Sequence, residues 1–124
     1  MEISIDQKSG VPLYRQIIES VKFGIARGDL APGDQLPTVR QLAVDLQVNP
    51  NTVIRAYREM EIEGVLDTQQ GSGTFVSDHR PEVDALERRR MLDQILTELL
   101  ARAFGYGFTL DEVFEGLRLR KEKL

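Results

Sequence analysis

Residues 36–60, LPTVRQLAVDLQVNPNTVIRAYREM, constrain the fold more than any other part of the chain. The first half sets Val39, Leu42, Ala43 and Leu46 at i, i+3, i+4 and i+7. The second half repeats that spacing with Val53, Ala56, Tyr57 and Met60. An α-helix turns about 100° per residue, so each set falls on one side of a helix and gives it one face to bury. Thr38, with Gln41 three residues on, reads as a capping box for the first helix. Asn49 and Pro50 read as the N-cap and first residue of the second, which Gly64 can end. Val48, in the tight turn between them, is placed to plug the gap.

Upstream, Leu13, Ile17, Ile18, Val21 and Ile25 form a stripe on a helix expected over residues 12–27, with Pro12 at its first position and Gly28-Asp29 at its end. Residues 1–11 read as an extended lead-in and 31–34 as a turn. Downstream, residues 66–70 and 74–76 read as strands joined through Gly71-Ser72-Gly73, whose glycines permit positive φ at a hairpin tip. A linker is expected over 77–81. The pattern then turns helical over 82–104, with Leu92, Ile95, Leu96, Leu99 and Ala103 on one face. Gly105-Tyr106-Gly107 breaks it. Thr109 and Glu112 form a capping box for a last helix carrying Leu110, Val113, Phe114 and Leu117. The expected fold is mostly α with a small β-hairpin. It consists of a winged helix-turn-helix over residues 1–77 and a two-helix segment over residues 82–124.

Two amphipathic helices in about 45 residues are too small to close a core by themselves. Their stripes therefore call for a partner surface, most simply a second copy of the chain, with Leu92, Ile95, Leu96, Leu99, Ala103, Leu110, Val113, Phe114 and Leu117 in a homodimer interface. The chain has no cysteine, which excludes disulfides and thiolate metal sites and suits a reducing compartment. Its first residues lack the pattern of a signal peptide, and no apolar run reaches the ~20 residues of a membrane span. A cytoplasmic location is expected. His79 is the only histidine and has no metal-ligating neighbours at ligand spacing. No nucleophile–base–acid set is present, so neither catalysis nor a metal or other cofactor is expected.

The charge balance bears on the partner. The chain carries a net −4, and residues 1–78 hold 7 Lys+Arg against 11 Asp+Glu. Phosphate binding needs local positive charge rather than a basic total. Residues 38–58 hold Arg40, Arg55 and Arg58 against Asp45 alone, while Glu59, Glu61 and Glu63 cluster beyond them.

Several segments together resemble the GntR family of bacterial transcriptional regulators. They are Pro12-Leu13-Tyr14, then Leu36-Pro37-Thr38-Val39-Arg40-Gln41-Leu42-Ala43, then Asn49-Pro50-Asn51-Thr52-Val53 and Gly71-Ser72-Gly73-Thr74-Phe75-Val76. The resemblance covers residues 10–77 and implies a homodimeric repressor that binds double-stranded DNA at an inverted-repeat operator. Phe108-Thr109-Leu110-Asp111-Glu112-Val113 resembles the YtrA subfamily, whose two-helix C-terminal part serves dimerisation. Larger members carry a separate effector-binding domain. The 46 residues after Asp78 are too few for one, so a small-molecule effector is left unassigned.

The resemblance and the helix geometry together select a DNA-binding set: Thr38, Arg40, Asn49, Asn51, Thr52, Arg55, Arg58, Gln70, Gly71, Ser72, Gly73 and Thr74. Arg40 falls away from the Leu42 and Leu46 side and is a DNA contact, as the resemblance and arginine's pairing with guanine imply, or a solvated surface arginine. Asn49 is an N-cap, a phosphate contact, or both. Asn51 and Thr52 sit where a helix N-terminus favours a phosphate. Arg55 lies off the apolar stripe and is the candidate base reader, with Arg58 one turn on facing phosphate or solvent. Ile54 either touches a thymine methyl or packs. Gly71 to Thr74 are expected at the wing tip, against minor groove or phosphates. Tyr14 and Tyr57 are expected in the core or at its edge, and Arg88, Arg89 and Arg90 on a solvated face. A winged-helix module for protein or RNA contact is the alternative that the acidic balance keeps open. An enzyme fragment is disfavoured, since no catalytic half follows.

Overall fold

The computed structural model of the chain describes residues 3–78 and 84–124. Its contacts divide the chain into two compact units, Met1–Pro81 and Glu82–Leu124.

The first unit holds α1 (Leu13–Arg27), α2 (Val39–Leu46), α3 (Pro50–Ile62), β1 (Leu66–Gln69) and β2 (Gly73–Val76). The expected stripes meet in one core. Ile17, Val21, Val53 and Met60 are fully enclosed, with Leu42, Ala43, Ala56, Tyr57, Leu66 and Val76 around them. α3 packs against α1, α2 and β1 at once. Val48 does pack on this core from the turn between α2 and α3. Among the described residues no polar or charged residue is buried. The core is therefore held by apolar burial, at about 25 cal/mol per Å² removed from water.

The caps follow the sequence with two departures. Thr38 accepts from the Gln41 N–H at 3.1 Å, but the Gln41 side chain turns to Asp45 instead of closing the box. Pro12 stands at the N-cap of α1 in extended backbone, so the helix begins one residue later, at Leu13. Asn49 caps α3 through the Asn51 N–H at 2.8 Å, and Pro50 opens that helix as expected.

The lead-in is not simply extended. Ile3 and Ile5 pack on the core, and the Gln16 carboxamide knots residues 6–11 to α1. It accepts from the Asp6 N–H at 2.7 Å and donates to the Asp6 and Val11 carbonyls. The hairpin pairs Leu66 with Val76, Asp67 with Phe75, Thr68 with Thr74 and Gln69 with Gly73. The turn therefore occupies Gln70, Gly71 and Ser72. Residues 33–36, which the sequence reading assigns to no strand, run along the free edge of β2. The Leu36 N–H donates to the Thr74 carbonyl at 2.8 Å, the Val76 N–H donates to the Asp34 carbonyl at 2.8 Å, and Gln35 bridges Phe75.

The second unit holds α4 (Ala85–Gly105) and α5 (Leu110–Lys121), which pack on each other. Asp84 caps α4, and Thr109 and Glu112 form the expected reciprocal box on α5. Positions 82 and 83 of the expected helix lie outside the described residues, as do His79 and most of the linker. Gly105 does not break α4; it is the helix's last residue, and Gly107 makes the left-handed turn.

Four of these helices close in the same way. Just past each end one N–H reaches back five positions, and the N–H before it reaches back three. This is the Schellman pattern, which requires a left-handed residue. Gly28, Gly64 and Gly107 supply it after α1, α3 and α4. After α2 the residue is Gln47, at φ 57°, with the Val48 N–H on the Ala43 carbonyl at 3.0 Å. A side chain in that conformation costs roughly 1–2 kcal/mol, of which glycine's greater unfolded-state freedom gives back part. Gln47 is exposed, so Gln47→Gly should raise stability by about 0.5–1 kcal/mol in urea unfolding. A lower midpoint would show that the Gln47 side chain contributes a contact of its own.

Candidate nucleic-acid interface

The core fixes what α3 shows to solvent. Val53, Ala56, Tyr57 and Met60 take the buried side. At about 100° per residue, the opposite side carries Asn51, Arg55, Arg58 and Ile62. Asn51, Arg55 and Arg58 are exposed, Thr52 is half-buried, and Ile54 flanks this face at 39% exposure. α2 shows Arg40, Gln41 and Val44 on its outer side, with Thr38 at its cap.

Two features differ from the sequence reading. The start of α3 is less open to an anion than its position suggests. The Asn51 N–H is taken by the Asn49 side chain, the Thr52 N–H by the Asn49 carbonyl, and Pro50 has none to offer. Asn49 is thus an N-cap, and its amide nitrogen is the group left to reach outward. The wing tip is also shorter. Gln70, Gly71 and Ser72 are exposed at the turn, while Gly73 and Thr74 lie half-buried in β2, the Thr74 hydroxyl 3.4 Å from that of Thr68.

Sequence reasoning missed the residue that sets the tip. The Gln35 amide donates to the Ser72 carbonyl at 3.1 Å, and a Cβ on Gly73 would stand 2.5 Å from the Gln35 amide nitrogen. Gly73, at φ 131°, is therefore glycine for its conformation, and a side chain there would also displace the Gln35 amide from Ser72. A single bridging residue such as Gln35 leaves no periodic signal.

The acids beside this face are engaged. Glu59 lies 3.5 Å from Arg55, Glu61 accepts a short hydrogen bond from the Thr68 hydroxyl, and Glu63 pairs with Lys22 at 2.6 Å. Arg40 and Arg58 have no ion-pair partner among the described residues. Arg88, Arg89 and Arg90 are exposed on α4 as expected, with Arg90 near Glu87. No group of three metal-ligating side chains occurs among the described residues. Among the described residues no helix is long and apolar enough to cross a membrane.

Tyr57 ties the two helices of the interface together. From within the core of α3 its hydroxyl donates to the Pro37 carbonyl, just ahead of Thr38 and Arg40, at 2.7 Å. Burial pushes its phenol well above the ordinary value of 10.0. The neutral form is therefore favoured in the folded state. The stability this supplies is complete below the unfolded value and falls as pH rises past it. Tyr57→Phe should cost about 0.5–1.5 kcal/mol at neutral pH and flatten the alkaline loss of stability. Urea titrations at pH 7 and above pH 10 check both. An unchanged midpoint at pH 7 would mean that the Pro37 carbonyl finds another partner.

The comparisons with known proteins agree with this geometry. The family model described as "Bacterial regulatory proteins, gntR family" matches residues 13–76. The HTH-type transcriptional repressor YtrA of Bacillus subtilis is 37% identical over 94% of this chain and 89% of its own length. Among solved structures, YtrA from Sulfolobus acidocaldarius, a GntR-family transcription factor, aligns with TM-score 0.60 at 39% identity, covering 80% of this chain and 97% of that one. The AraR DNA-binding domain, solved in complex with operator ORX1, aligns with TM-score 0.55 at 28% identity over 62% of this chain and 96% of its own. With its first unit matched by the family model and a relative matched nearly end to end, the chain belongs to the gntR family of bacterial regulatory proteins and is a winged helix-turn-helix transcription regulator, not an enzyme.

Proposed function

We propose that this regulator is a repressor that acts in the cytoplasm as a homodimer on an inverted-repeat operator in double-stranded DNA. Residues 1–77 are its DNA-binding domain and residues 82–124 its dimerisation segment. The observation that carries the reading is the outward face of α3, where Asn51, Arg55 and Arg58 line up opposite the core, with Arg40 exposed on α2. In its support stand the repressor name of the Bacillus relative and the operator complex of the AraR domain.

Each residue of the set has a role. Arg55 reads a base edge in the major groove, where arginine pairs with guanine. Arg58 and Arg40 meet phosphates, and Thr38, Asn49, Asn51 and Thr52 surround the start of the two helices. The turn Gln70-Gly71-Ser72, held by Gln35, lies along the backbone or in the minor groove, with Gly73 and Thr74 supporting it. The test is a selection of bound fragments from random DNA, then footprinting and binding curves at several salt concentrations. Two mirror-related half-sites are expected, since a twofold dimer presents two symmetry-related recognition helices. Arg55→Ala should cost about 1–3 kcal/mol and relax preference at one base pair per half-site. Arg58→Ala should weaken all sequences alike and reduce the salt dependence, and Gly71→Val should lower affinity through the hairpin tip. Equal, sequence-independent losses for both arginines would put base reading elsewhere. No loss for any of the three would favour a module that binds protein or RNA.

The dimer rests on the second unit. None of its described residues is buried, and Leu92, Ile95, Leu96, Leu99, Leu110, Phe114 and Leu117 are each at least 41% exposed, with only Ala103, Val113 and Leu100 half-covered among the described residues. Leu96→Glu with Leu99→Glu would set four charges in the proposed interface, and unpaired buried charge is costly. Sedimentation at micromolar concentration should show monomers. A folded, dimeric double variant would place the interface elsewhere.

A further inference from the structure

Arg55 is held differently from the other arginines of the proposed interface. Its guanidinium carbon lies 3.7 Å from the centroid of the Tyr14 ring. Tyr14 stands in the first turn of α1, half-buried and packed on the core, so its ring is a fixed platform. Leu13, Tyr14, Asn51, Thr52 and Arg55 line one shallow depression beside the start of α3. Glu59, one turn further along α3, approaches the Arg55 Nε at 3.5 Å. Even so, the Arg55 side chain is 61% exposed. It is restrained without being hidden. Arg40 and Arg58 have no such ring contact among the described residues.

The chemistry of this arrangement favours reading over simple attraction. A guanidinium lying on an aromatic ring engages its face and leaves its in-plane N–H donors free. Glu59 approaches Nε, and the two terminal nitrogens keep the fork geometry that matches a base edge. A long side chain loses rotamer freedom when it binds, and one that is already restrained loses less.

We propose that Tyr14 is a positioning residue for sequence recognition, its ring presenting the Arg55 guanidinium to a base edge. The proposal rests on the DNA-binding reading above. A cation–ring contact at an exposed site corresponds to about two- to fivefold in an equilibrium, so the expected effects are modest and measurable.

The experiment uses the full chain, its selected operator, operators with single base changes, and scrambled DNA. Tyr14→Leu, with Tyr14→Met as a second variant, keeps apolar bulk and removes the ring. Tyr14→Phe keeps the ring. Both ring-removing variants should lose about two- to fivefold in operator affinity. They should relax preference at the base pair that Arg55→Ala relaxes, and leave scrambled DNA unaffected. Tyr14→Phe should match the parent. In an Arg55→Ala background, removing the ring should change discrimination no further. A purely structural loss would lower operator and scrambled binding together, keep their ratio, and so overturn the proposal. It is also overturned if the two substitutions add, or if Tyr14→Phe loses as much as Tyr14→Leu, which would assign the effect to the hydroxyl. If Arg55→Ala keeps full discrimination while the parent binds its operator, the Tyr14 proposal falls and the DNA-binding reading stands. If the parent prefers no DNA at all, both fall.

Discussion

Everything in the first unit depends on the burial of one side of α3. Val53, Ala56, Tyr57 and Met60 are at most 3% exposed, and they touch elements that come before and after α3 in the chain. Burying a Val- or Met-sized side chain stabilises by about 1.5–3 kcal/mol, so rotating α3 would lose several such terms together. That rigidity has a functional consequence. A helix locked by its buried side has its outward side locked as well, and Asn51, Arg55 and Arg58 inherit their direction from the core. Tyr57 extends the constraint to α2 through Pro37. The angle between the two helices is thus set by packing and one hydrogen bond, with no need for a ligand.

The second constraint is electrostatic. A chain of net charge −4 has to offer a cationic surface to a polyanion. In the proposed binding mode it does so by local arrangement. Lys22 lies against Glu63, and the Thr68 hydroxyl occupies Glu61. Exposed pairs of this kind add little to stability, yet they hold acids in fixed places. At physiological salt, charges separated by more than about 8 Å are largely screened. The sign of the surface near Arg40 and Arg58 therefore depends on the nearest groups far more than on the total. Glu59 is the exception, since it sits next to Arg55 within the proposed interface.

Much of this was legible in the sequence, for a reason that also marks the limit. Periodicity and caps are local, so the stripes of α1 to α3, the Asn49 and Thr109 caps and the hairpin could be read from spacing. The relations that shape the proposed interface are single contacts between distant residues. Tyr14 under Arg55 and Gln35 on Ser72 are each one pair with no repeat, and the Gln16 contacts that hold the lead-in are equally without one. Local readings also failed where two neighbours could do the same task. Gly105 and Gly107 both suit a helix end, and only the six-to-one bond from Phe108 to Ala103 selects Gly107. Gln47 carried no signal at all, because left-handed glutamine is chosen against propensity by the surrounding turn.

The second unit poses the opposite problem. On α4, Met91, Ile95, Leu99, Leu92, Ala103, Leu96 and Leu100 spread over roughly 180° of the helix at about 100° per residue. A stripe that wide exceeds what one neighbouring helix covers, since two helices packed at 8–10 Å meet along a narrower strip. α5 is short, and after it has packed, Leu92, Ile95, Leu96 and Leu99 keep 41% exposure or more. Its own Leu110, Phe114 and Leu117 are equally uncovered. The apolar surface left over is therefore shared by both helices and continuous in pattern along each. Scattered exposed leucines need no explanation, but a stripe at helical spacing on two packed helices does. In the proposed dimer each α4 packs against its own α5 on one flank and against the partner on the other. That would make assembly a condition for this unit's stability as well as for placing two recognition helices on one operator.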